Sequence, residues 1–110
     1  MSLTIENAFD DGKLKQPARL HSEYIVQVGD LGKEVRIKIW KMVNGTGYYF
    51  TQSHYVETPA QGGPYRTSDI TAESEAEALH KAVGTFTRFY NDTVKGQAAE
   101  DSWFVKNEDF

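Results

Sequence analysis

The run Lys33–Val43 alternates with the period of a strand. Val35, Ile37, Ile39 and Val43 fall on one side of an extended chain, and Glu34, Arg36, Lys38, Trp40 and Met42 fall on the other. Successive side chains of a strand point to opposite faces, so this is a strand with one face in a core and one outside it. Asn44-Gly45-Thr46-Gly47 follows, a sequence that accepts positive φ and closes a hairpin. The chain then returns through a second alternating run, Tyr48–Val56. If Asn44-Gly45 is the turn, Val43 pairs with Thr46; if Gly45-Thr46 is the turn, Asn44 pairs with Gly47. Both registers set odd positions opposite even ones. Both therefore place Tyr48, Phe50, Gln52, His54 and Val56 with Ile37 and Ile39. Tyr49, Thr51, Ser53 and Tyr55 join Arg36, Lys38 and Trp40 on the outer face.

The remaining elements fit around this hairpin. Ser22–Gly29 alternates through Tyr24, Val26 and Val28 and ends in the turn Gly29-Asp30-Leu31-Gly32. Thr58–Pro64, with Pro59 and Gly62-Gly63-Pro64, is a loop, and Tyr65–Ile70 is a short fourth strand at an edge. Ser74-Glu75-Ala76-Glu77 fits a capping box at a helix start. Leu79, Val83, Phe86, Tyr90 and Val94 then form one helical stripe, closed by Lys95-Gly96. The fold expected is α+β: a four-stranded antiparallel sheet (ββββα) with one C-terminal helix packed on one face. Residues 1–20 read as an extended or mobile arm, residues 21–96 as the domain, and residues 97–110 as an acidic-aromatic tail.

A chain of 110 residues is one domain's worth, and an aromatic content of 13% points to a core built largely from rings. With no cysteine there is no disulfide framework and no thiolate metal site. No apolar run approaches the roughly 20 residues that span a bilayer, and no signal peptide is legible, so a cytoplasmic protein without a membrane partner is expected. The net charge of −4 arises wholly within residues 71–110, which carry eight acids and four bases. Bases cluster instead at Lys33, Arg36, Lys38 and Lys41. An acidic chain is a poor ligand for duplex DNA, but a local basic patch is compatible with it.

Catalytic signatures are sparse. His21, His54 and His80 are scattered without metal-ligand spacing, and no metal or other cofactor is expected. No serine sits in a nucleophile elbow, and Ser53 and His54 fall on opposite faces of the expected strand. The reading is of a noncatalytic protein. The constellation that stands out is the outer face: Arg36, Lys38, Trp40, Lys41, Tyr49 and Tyr55 interleave cations with rings, as surfaces that stack bases and meet phosphates do. Single-stranded DNA or RNA is one candidate partner. The alternative is a homodimer interface, or cover by Trp103-Phe104-Val105, because one helix covers only one face.

The strand order and following helix over Ser22–Gly96 resemble the single-stranded-DNA-binding regulators of the Whirly and transcriptional-coactivator type. The resemblance is one of topology and implies paired ββββα units that bind single strands. Glu108-Asp109-Phe110 also resembles the acidic, Phe-terminated tails of bacterial single-strand-binding proteins. Such a tail is expected to compete for the outer face.

Overall fold

The computed structural model describes residues 2–110. In chain order the elements are α1 (Ile5–Ala8), β1 (Ala18–Val28), β2 (Lys33–Met42), β3 (Tyr48–Gln52), β4 (His54–Val56), β5 (Thr71–Ala72), α2 (Glu75–Thr87), β6 (Thr93–Val94), β7 (Gln97–Ala98) and β8 (Phe104–Lys106). The protein is α+β. A four-stranded antiparallel sheet runs in the order β1-β2-β3-β5, and α2 packs on it. The helix lies mid-chain rather than at the end, because three further strands follow it. No helix of the described residues is long and apolar enough to cross a membrane.

The central hairpin adopts the first of the two registers. Trp40 faces Tyr49, Ile39 faces Phe50, and Met42 N–H donates to Gly47 O, with Gly45 at φ +111° inside the turn. Odd positions therefore face even ones, and Val35, Ile37, Ile39 and Phe50 are buried together while Arg36 stays exposed. On the other side β1 pairs Val26 with Val35 and Tyr24 with Ile37. The register slips between Leu20 and Ser22, leaving His21 as a bulge. His21 and Ser22 then both reach the helix side, where they meet Glu75 at the start of α2.

The second run is not one strand. It breaks at Ser53, and β4 leaves the main sheet to pair with β8. Polar side chains make the break affordable to the backbone. Asn107 Nδ2 donates to Gln52 O and Asn107 N to Ser53 O, while Gln52 Nε2 donates to His54 O and to the Thr85 hydroxyl. Every buried side-chain polar atom among the described residues has such a partner. The fourth strand also lies later than Tyr65–Ile70. Pairing begins with Phe50 N–H on Ile70 O and continues through Thr71–Ala72.

Ser74 caps α2 as expected, its hydroxyl accepting from Glu77 N. The buried side of the helix, however, is Ala78, Ala82, Thr85 and Phe86, with Leu79 at its margin and Val83 37% exposed. Small alanines let the helix axis approach the sheet, and that shifts the contact line away from Val83. The helix stops at Thr87, so Tyr90 and Val94 reach the core from irregular chain and from β6. Lys95-Gly96 is not a helix stop but the turn between β6 and β7, with φ of +51° and +76°. Tyr90 lies over Gly29, where any Cβ would collide with the ring; Gly29 itself has φ +58°.

Trp103 and Phe104 do not cover the outer face. Both are buried in the core on the helix side, beside Tyr90. Within residues 2–20, Thr4 caps the single turn of α1 and β1 begins at Ala18.

Candidate functional site

Trp40 and Tyr49 are directly opposed on β2 and β3, and their rings lie nearly parallel, 6.1 Å between centres at 10°. The indole N–H donates to the Thr51 hydroxyl at 3.0 Å, which fixes the ring against the sheet. Lys38 and Arg36 continue along the same face at successive two-residue steps. Arg36 is ion-paired with Glu23 on β1, and Glu23 faces Lys38 across the ladder.

What reaches these cations is Phe110. The Lys38 ammonium is 4.0 Å from its ring centre and 3.5 Å from its main-chain oxygen, and the Arg36 guanidinium is 5.6 Å from the ring. The ring face is the negative end of an aromatic quadrupole, so both contacts are attractive. Phe110 also walls a cleft of about 350 Å³ with Ile25, Arg36, Ser53, His54 and Lys106.

Two of the six residues expected at this site are elsewhere. Lys41 follows Trp40 and so points to the opposite face, where its ammonium lies 4.8 Å from the Tyr48 ring and 3.4 Å from Gly45 O. Strict period-two counting from Ile39 to Lys41 finds this placement. Tyr55 leaves with β4, faces Val105 of β8 and is covered by the Arg66 guanidinium at 4.4 Å. The site that remains is Arg36, Lys38, Trp40 and Tyr49, with Thr51 in support.

Ser53 and His54 were expected on opposite faces, but the break in the strand brings them together. Arg36 N–H donates to Ser53 Oγ at 2.8 Å, and the hydroxyl shares a hydrogen bond with His54 Nδ1 at 2.7 Å. Partial burial, then the charges of Lys33 and Lys106, hold His54 below the usual imidazole range. Ser53 Oγ thus takes the Arg36 N–H at the kink, while the Ser53 carbonyl accepts from Asn107 N. His21 and His80 lie away on β1 and α2, and no group of three or more metal-ligating side chains gathers among the described residues.

Comparison with protein-family models, with curated proteins and with solved structures finds no significant match to this chain.

Proposed function

We propose that the protein is a noncatalytic binding module that takes single-stranded nucleic acid on the outer sheet face. The observation that carries this reading is the parallel Trp40–Tyr49 pair beside Lys38, on the sheet face turned away from α2, Trp103 and Phe104. Parallel rings on a sheet face give bases a surface to stack on, and a cation two residues away meets the phosphate between them. A chain of net charge −4 with Arg36 already paired to Glu23 binds through stacking more than through charge, so the expected salt dependence is shallow.

One observation favours a second reading. The Glu23–Arg36 pair neutralises half of the cationic pair on this face, which suits a protein interface between two copies better than it suits a phosphate chain. Titration separates the two. A Trp103→Phe variant leaves Trp40 as the reporting indole, and mixed-sequence single strands added at low salt should quench it saturably. No quenching, with a dimer that Trp40→Ala dissociates, would transfer the outer face to self-association.

A further inference from the structure

The main sheet has two edges, and the chain treats them differently. The β5 edge is two residues long and leads at once into the capped helix. The β1 edge is eleven residues long and is paired on one side only, with β2. Unpaired strand edges are templates for another chain, and proteins guard them with short length, charge, proline or bulges. The first part of β1 is guarded in this way by Arg19, by the bulge at His21 and by Pro17 just before the strand. The second part, Ser22–Val28, has no bulge and no proline. Its one charge, Glu23, is already occupied by Arg36.

We propose that Ser22–Val28 pairs antiparallel with the same segment of a second copy, joining two four-stranded sheets into one. This goes beyond the reading of the outer face and does not depend on it. The second copy is the fitting occupant because the segment is complementary to itself about Ile25. Ile25 is 61% exposed on the outer face, and centring the pair there sets the two Ile25 side chains against each other. The same register puts Glu23 opposite Gln27, whereas centring on Glu23 would oppose two carboxylates. Because Ile25 meets its own copy, the outer faces of both sheets lie on one side and both α2 helices on the other. On the helix side the seam runs beside an apolar groove of about 240 Å³ lined by Val26, Val83, Phe86 and Tyr90. The exposed flank of Val83 borders that groove, so an apolar strip lies on each side of the unpaired edge. A seven-residue segment gives a seam about 23 Å long.

The absence of cysteine from the chain makes the test direct. Sedimentation of the full chain should show a dimer, and Ile25→Lys should weaken it at least tenfold with an unchanged circular dichroism spectrum. Under mild oxidation Ile25→Cys should cross-link to a covalent dimer, while Thr46→Cys at the exposed hairpin tip should not. Should Ile25→Lys fail to fold, the cross-linking arm decides. A folded chain that stays monomeric at high concentration overturns the proposal. So does a dimer that ignores Ile25→Lys and does not cross-link through Ile25→Cys. That second result would put the dimer contact elsewhere and leave nucleic-acid binding to be judged by its own titration.

Discussion

Lys38 and Phe110 are separated by 72 positions in the chain, yet the ammonium of one lies 4.0 Å from the ring centre of the other. The contact puts a ring-bearing acidic segment, Glu108-Asp109-Phe110, over the cation that the proposed ligand needs. It follows that residues 97–110 are not a dispensable competitor. Their Trp103 and Phe104 are core, and only their last residues touch the outer face.

Phe110→Ala should therefore be the informative change, and deletion of residues 97–110 should unfold the protein. An exposed cation–π contact is worth about 0.5–1 kcal/mol, so freeing Lys38 should tighten oligonucleotide binding roughly 2- to 5-fold. Parallel titrations of both chains at low salt check this, and equal affinities would show that Phe110 does not compete.

The helix contact gives a stability test. Ile37 is fully buried, and Ile37→Ala should cost about 2–5 kcal/mol in urea unfolding. Val83, by contrast, keeps 37% of its surface exposed and should lose about 1 kcal/mol or less on conversion to Ala. Equal losses at the two positions would mean that α2 is rotated toward the stripe expected from periodicity.

That rotation shows where a sequence reading runs out. Leu79, Val83, Phe86, Tyr90 and Val94 share helical spacing, and all but Val83 do lie in or against the core. Spacing cannot tell that Tyr90 arrives from outside the helix, or that small Ala78 and Ala82 set the closest approach. Alternation was sound for β2 because both its neighbours are near in sequence. It failed after Gln52 because the partner of β4 is β8, some 50 positions later, and Ser53 carries no glycine or proline to announce a break. Of the outer site, Arg36, Lys38, Trp40 and Tyr49 were legible from one strand period and one turn. Phe110 was not, because its contact depends on where β8 delivers the chain.

The junction between α2 and the Gly29 turn should be pH-sensitive at both ends. Asp92 accepts from Asp30 N at 2.9 Å and from the Tyr90 hydroxyl at 2.8 Å, and these bonds hold its carboxyl below the usual range. Burial, then Asp92, push the Tyr90 hydroxyl up from 10.0 to about 12. A depressed carboxylate adds stability above its unfolded value and loses it as pH falls through the folded one. A raised phenol adds stability below its unfolded value near 10.0 and loses it as pH climbs toward about 12. Melting temperature against pH should thus fall at both extremes. Asp92→Asn should flatten the acid side, and Tyr90→Phe the alkaline side. Parallel profiles for the variants and the native chain would remove these two groups as the cause.

The outer face itself is tested by contrasting residues that the sequence grouped and the structure separates. Stacking is worth about 1–3 kcal/mol per base, so Trp40→Ala should weaken single-strand binding roughly 5- to 150-fold. Charge reversal at Lys38 should weaken it further and flatten the salt dependence, because one fewer counterion is released. Lys41 lies across the sheet beside Tyr48, and Tyr55 lies on β4 under Arg66, so Lys41→Glu and Tyr55→Ala should bind like the native chain. Circular dichroism of each variant establishes that the sheet persists. If Lys41→Glu matched Lys38→Glu, binding would follow overall charge rather than this face. If Trp40→Ala bound normally, the ring pair would belong to an interface between protein surfaces.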